Sequence, residues 1–443
     1  MVHPSRAIRG GKSQLLAGRR IVVGISGSIA AIEMPRVIRE LIRHGAEVRA
    51  VMSPDAARIV TPETIAFATG NPPIVQLSGE VEHVTLMGPG EGRADLLLLA
   101  PATANTISKI AHGIDDTAVT SFATVALGGG VPVLVAPAMH AHMGQNPAIR
   151  ENLDRLRSWG VEIIAPLAAE GEEKLATPEE ISAAVLHRLA RGPWAGRRVL
   201  VIGGAARESI DSVRSLTNES SGETAVQLAV QAYFRGAQVE LWASPLEVAI
   251  PSFLPLKRWR SVGDLRQLIR SSPEVISGAD AVLVPAALSD FVTTAAPGKI
   301  PSRDHPTLTL TLTRAPKLLP ELRRRILAPR RLVGFKLLAD GTADWEGEAH
   351  RLLEETGADW VVVNERRTMG SPRIEALLVS RRGERRRLSG PKAEVAAKLL
   401  DDLGLELTEV AASVPGPAPR PHRARTVRRR PLRPRAGATS RAP

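Results

Sequence analysis

Short continuous apolar runs alternate with stretches of helical period along most of the chain. Arg20 to Ile25, Glu47 to Met52, Leu96 to Leu99, Val131 to Ala136 and Val161 to Ala165 have strand length, and apolar residues at consecutive positions suit strands buried on both faces. Between them Val37, Ile38, Leu41 and Ile42 recur at helical spacing. Residues 55–70 read as one helix stopped by Gly70 to Pro73, and further helices start at Thr106 and near Pro178. Repeated strand-helix units with short links specify a doubly wound parallel sheet. The rhythm breaks at Gly192 to Gly196 and restarts at Arg198 to Gly204. A polar stretch, Ala205 to Gly222, then precedes a helix over residues 225–236 and strands at Gln238 to Trp242, Asp280 to Pro285, Leu332 to Phe335 and Trp360 to Asn364. The expected fold class is α/β, with two doubly wound parallel-sheet domains of Rossmann or flavodoxin-like type at residues 19–191 and 192–410.

Composition changes this picture mainly at the ends. The chain has 443 residues and a net charge of +12, yet nine arginines lie from Arg420 onward and the last acidic residue is Glu409. Most of the surplus charge therefore belongs to residues 411–443, whose Pro/Arg-rich composition predicts a disordered tail. Residues 1–18 are basic, lack the apolar core of a signal peptide and are expected to be flexible. Aromatic residues are 3% of the chain, too few for base-stacking platforms, so no specific nucleic-acid partner is expected. No apolar run approaches the length of a membrane span, which makes a cytoplasmic protein without a membrane partner the default. The absence of cysteine excludes disulfides, thiolate metal sites and a cysteine nucleophile.

Candidate chemistry gathers at the carboxyl ends of the predicted strands, where open α/β sheets bind ligands. Gly24, Ser26, Gly27 and Ser28 form a small polar turn at a helix start, which suits a phosphate, although the glycine spacing is that of neither common phosphate loop. Ser53 ends the second strand. Pro101, Ala102, Thr103, Ala104, Asn105 and Thr106 end the third, and they suit either a ligand turn or an ordinary capped helix start. His83 is a candidate acid or base, with a structural role as the plain alternative. Met139, His140, His142 and Met143 share a loop that contains no carboxylate, so ligand contact is favoured there over metal binding. In the second half Ala286, Asp290 and Lys299 follow one strand, while Lys336 and Asn364 lie at two others. Asp290 and Lys299 could hold a metal-bound triphosphate or form a solvated pair.

Together these stretches resemble the bifunctional phosphopantothenoylcysteine decarboxylase and phosphopantothenate–cysteine ligase family of coenzyme A biosynthesis, over about residues 18–405. The resemblance implies a flavin-binding domain followed by a nucleotide-binding one. Gly24 to Ala31 match the flavin-phosphate loop, Ser53 a second flavin contact, and Pro101 to Thr106 the flavin signature. His83 matches the catalytic histidine, and Pro137 to His140 the substrate loop, with Met139, His140 and Asn105 as substrate contacts. Asn218 to Gly222 resemble the ligase activation loop. Ala286, Asp290, Lys299, Phe335 and Lys336 resemble its cytidine triphosphate site, with Asn218 and Lys299 in catalytic roles. FMN and Mg2+ are the implied cofactors, the magnesium lying near the nucleotide with no ligands assigned. The implied substrates are 4'-phosphopantothenate, cysteine and CTP. The implied chemistry is ligation through an acyl cytidylate, then oxidative decarboxylation and re-reduction. The family also implies homo-oligomers, with trimers of the flavin domain and dimers of the ligase domain giving a dodecamer. Two departures stand out. Bacterial members carry a flap cysteine where this chain has Glu170 to Ala176, an archaeal-like stretch, and the family's Gly-Lys-Met-Gly becomes Gly222 to Ala225 with Glu223 in place of the lysine. An active decarboxylase beside an inactive ligase domain, or a flavoprotein regulator without enzymatic activity, are the competing readings.

Overall fold

The computed structural model describes residues 3–169, 172–304, 307–328 and 330–413. The tail from Val414, and Glu170 and Gly171 of the flap stretch, lie outside the described residues. Strands β1 (Arg20–Ile25), β2 (Glu47–Met52), β3 (Leu96–Ala102), β4 (Val133–Pro137) and β5 (Glu162–Ile163) form a parallel sheet in the order β2-β1-β3-β4-β5. All seven residues of β3 are buried. Alternation explains why: Ile21, Val23, Leu96 and Leu98 enter one core, while Val22, Leu97 and Leu99 enter the core on the opposite face. Beyond β5, β6 (Leu167–Ala169) and β7 (Glu172–Lys174) pair as an antiparallel ribbon.

The second unit contains β8 (Arg198–Gly203), β9 (Arg207–Ser209), β10 (Ser215–Thr217), β11 (Gln238–Ala243), β12 (Leu256–Arg258), β13 (Ala281–Val284), β14 (Phe291–Val292), β15 (Thr313–Arg314), β16 (Arg331–Leu338), β17 (Trp360–Glu365), β18 (Arg373–Ser380) and β19 (Arg385–Pro391). Eight of these make one sheet, β12-β11-β8-β13-β16-β17-β18-β19, and β9–β10 and β14–β15 form side ribbons. The last two strands of the large sheet are antiparallel. Only a short turn links β18 to β19, and a parallel pair would need a long crossover.

One device recurs at the lower edge of both sheets. Asp95, just before β3, accepts from Arg19 Nη1 and the Arg20 amide, each at 2.9 Å. Asp280, just before β13, accepts from Arg197 Nη1 and the Arg198 amide, again at 2.9 Å. Each carboxylate thus ties the start of its own strand to the start of the central neighbour.

Three expectations are corrected. Residues 55–70 hold two helices, Pro54–Ile59 and Pro62–Thr69, because Ser53 and Thr61 each cap a helix whose first residue is proline. The helix predicted over 225–236 runs over Glu223–Phe234, with Gly222 before it at φ 78°. The N-terminal segment is packed where described: Leu16 is fully buried, and the amides of Gly10, Lys12 and Leu16 donate to the carbonyls of Ile42, Arg43 and His44.

The two units touch through side chains. The His187 and Tyr233 rings stack at 4.2 Å, and Phe234 packs against the first unit's core, its ring 6.1 Å from His44. Within the second unit, buried Trp194 donates from Nε1 to the Leu400 carbonyl at 2.7 Å.

Candidate functional site

Chain order and strand order part company at β1, which lies between β2 and β3. The crevice above the carboxyl ends of β1 and β3 is therefore the topological switch point, where such sheets bind ligands. Most of the first unit's predicted site residues border it. Ser26 is buried and its hydroxyl is already engaged, donating to the Pro101 carbonyl at 2.6 Å and accepting from the Thr103 amide at 2.9 Å. This side chain stitches the β1 turn to the β3 turn. Ser28 caps the turn Ile29–Glu33, and Ser53 accepts from the Ala56 amide at 3.2 Å. Thr103 caps the helix Ala104–Ala111, leaving Asn105 exposed in its first turn.

The glycines have different reasons. A Cβ on Gly24 would lie 2.8 Å from Leu99 Cδ2, so its bareness serves sheet packing. A Cβ on Gly27 would lie 2.4 Å from Asp55 Cβ, so the loop runs against the start of helix Pro54–Ile59. The Gly27 amide has no described acceptor. A free amide in a tight small-residue loop at the switch point fits a phosphate-bearing flavin.

His83 lies on the short helix Glu82–Met87, just before the Gly-rich loop. Its Nδ1 is buried without a partner, and its ring is 6.5 Å from that of Phe122. Val81, immediately before this helix, has φ 46° and is the only described non-glycine with positive φ. A β-branched residue there stores roughly 1–3 kcal/mol of strain, a feature common near functional sites. Sequence reasoning missed it, since no residue type announces a strained valine. His140 follows β4, is exposed, and accepts at Nδ1 from the His142 amide at 3.3 Å. Met139 packs against the core beneath β3 and β4.

In the second unit Asn218 donates from Nδ2 to the carbonyls of Ala287 and Leu288, both at 3.2 Å, which joins the polar loop to the end of β13. Ala286 packs on the core at the same strand end. The pairing of Asp290 with Lys299 considered from sequence is corrected: Asp290 accepts from Lys317 Nζ at 2.8 Å, while Lys299 is exposed with no described partner. The loop bearing Lys299 is held from behind. Asp211 accepts from the Ile300 amide at 3.2 Å, and Arg214 Nη1 donates to the Ile300 carbonyl at 3.1 Å. The amides of Arg214 and Val213 pull the Asp211 carboxyl down to about 2. Phe335 and Lys336 are half-buried on β16. Among the described residues no group of three or more His, Cys, Asp or Glu could hold a metal ion.

A cavity of about 540 Å³ lies beside this edge, bounded by Arg207, Asn218, Glu223, Asn364 and Lys392 among others. Glu223 and Lys392 pair across it at 2.8 Å. Sequence reasoning singled out Glu223 but not Lys392, which lies 169 positions away.

Fold and site together define a two-unit α/β protein with a ligand crevice on each sheet, the first suited to a flavin. Residues 10–190 match the Flavoprotein family and residues 194–405 match the DNA/pantothenate metabolism flavoprotein C-terminal domain. The coenzyme A biosynthesis bifunctional protein CoaBC of Thermococcus kodakarensis is 42% identical over 409 residues, which cover 91% of this chain and 99% of that protein. The CoaBC protein of Methanocaldococcus jannaschii is 33% identical, over 90% of this chain and 97% of its own length. Among solved structures, the C-terminal domain of a CoaBC protein aligns at 25% identity and a TM-score of 0.41, over 49% of this chain and 100% of its own. The chain belongs to the family of bifunctional coenzyme A biosynthesis proteins. It is a flavoprotein with decarboxylase and ligase activities in that biosynthesis. Among the described residues no helix is long and apolar enough to cross a membrane.

Proposed function

We propose that residues 192–410 join cysteine to 4'-phosphopantothenate with cleavage of CTP, and that residues 19–191 decarboxylate the product to 4'-phosphopantetheine with FMN. The observation that carries the flavin half is the free Gly27 amide beside the stitched turns of Ser26, Pro101 and Thr103 at the switch point. Gly24, Ser26, Gly27, Ser28, Ser53, Pro101, Ala102, Thr103 and Asn105 would border the FMN. Bound FMN would supply reversible two-electron chemistry at the substrate sulfur. His83 would manage a proton there, while Asn105, Met139 and His140 would orient the substrate.

For the ligase, exposed Lys299 and half-buried Lys336 support phosphate binding, with Ala286, Asp290 and Phe335 lining the nucleotide site. Mg2+ would come bound to the triphosphate, and Asn218 would position the activated acyl group. A cytoplasmic homo-oligomer, with trimers of the first unit and dimers of the second, accords with the family resemblance.

The test uses the purified full chain. Flavin absorbance, with pyrophosphate and carbon dioxide both released from 4'-phosphopantothenate, cysteine and CTP, is the expected result. Pyrophosphate without carbon dioxide would refute the decarboxylase assignment, and failure to release pyrophosphate with CTP would refute the nucleotide assignment.

A further inference from the structure

The cavity beside the polar loop of the second unit carries charges of both signs. Glu219, Glu223 and Glu247 share it with Arg207 and Lys392. Three carboxylates against two cations make a poor seat for a triphosphate, whose repeated negative charge calls for a cationic surround. The mixture instead suits a ligand that is itself both cation and anion.

Lys392 opens the helix Lys392–Ser413, and its side chain is only 5% exposed, with Nζ 2.8 Å from Glu223 Oε2. An ammonium has three donors. Glu223 is the one described partner of this ammonium, which lies in the wall of the cavity. Arg207 Nε, in the same wall, is buried without a partner. Buried donors left unpaired are costly, and a ligand carboxylate would satisfy them.

Resting on the ligase reading above, we infer that Glu223, Glu247 and Lys392 form the subsite for the amino-acid substrate, an α-amino acid zwitterion. Lys392 takes its α-carboxylate, and the two glutamates hold its ammonium. In the transfer step the amine forms a C–N bond to the acyl carbon while the C–O bond to the nucleotide phosphate breaks. The nucleotide leaves as the monophosphate, and the ammonium's two lost protons pass to solvent. The Glu223–Lys392 pair is thereby a recognition element, in addition to joining two helix starts.

The test compares cysteine with cysteamine, which lacks the carboxylate, as acceptors for the full-length protein. The single-turnover pyrophosphate burst from 4'-phosphopantothenate and CTP, without acceptor, is followed in parallel. Lys392→Met should lower kcat/KM for cysteine about 30-fold, lower that for cysteamine by a clearly smaller factor because Glu223 loses its partner, and keep the burst. Glu247→Gln, at an exposed position, should raise KM for both acceptors, since both carry the ammonium. Equal losses for both acceptors in Lys392→Met, loss of its burst, or an unchanged KM in Glu247→Gln would overturn the subsite and leave the ligase reading intact. A wild-type protein with no burst would overturn the ligase reading, and the subsite with it.

Discussion

His83 illustrates how much a single residue's role depends on its enclosure. An exposed imidazole would carry no such signal, but here Nδ1 is buried with no partner, a state that costs about 1–3 kcal/mol unless a ligand or water fills it. His83→Asn is expected to lower decarboxylation by at least about 100-fold while flavin absorbance and pyrophosphate release stay normal. Normal carbon dioxide release from that variant would remove His83 from the chemistry. Residue identity alone points to His83, Ser26 and Asp290, yet their partners are not legible in it. Ser26 bonds to a turn 75 positions away, and Asp290 pairs with Lys317, not Lys299.

At the scale of elements, the strand starts are held by paired clamps. Asp95 accepts one charged and one backbone donor, both at 2.9 Å, and charge-assisted bonds of this kind contribute about 1.5–3 kcal/mol. Asp95→Ala should therefore reduce stability in denaturant by about 2 kcal/mol, with flavin content retained because the clamp lies at the edge opposite the crevice. A change below about 0.5 kcal/mol would show that the clamp is incidental. Periodicity finds most strands of both sheets. It misses the split of residues 55–70, because Pro62 fits a continuous helical pattern as well as a new helix start. It also misses the last two strands: β18 is largely buried, whereas the edge strand β19 exposes Arg385, Arg386, Arg387 and Ser389, which dilute its apolar signal.

Across the whole molecule, helix Glu223–Phe234 runs from the cavity beside the polar loop at Glu223 to the first unit at Tyr233 and Phe234. Tyr233 is the only tyrosine in the chain, so its ionisation can be read directly by ultraviolet absorbance. Burial, with a contribution from Glu162, raises its hydroxyl to about 12. Between pH 10 and 12 the unfolded chain has lost this proton and the folded chain keeps it. The associated stability is therefore full below pH 10 and is lost as pH rises through 12. Tyrosinate absorbance should titrate near 12 in the native protein and near 10 in denaturant; coincident curves would show that Tyr233 is solvated.

The sequence by itself determined the alternating cores, the strand-end turns and the family, because periodicity and contiguous motifs are local properties of the chain. Tertiary structure decided which polar groups are already engaged and which are free. Gly27's unpaired amide, the enclosed His83 nitrogen and the Glu223–Lys392 pair all depend on atoms brought together from distant positions, and hydrogen bonding and burial act through space, not along the chain.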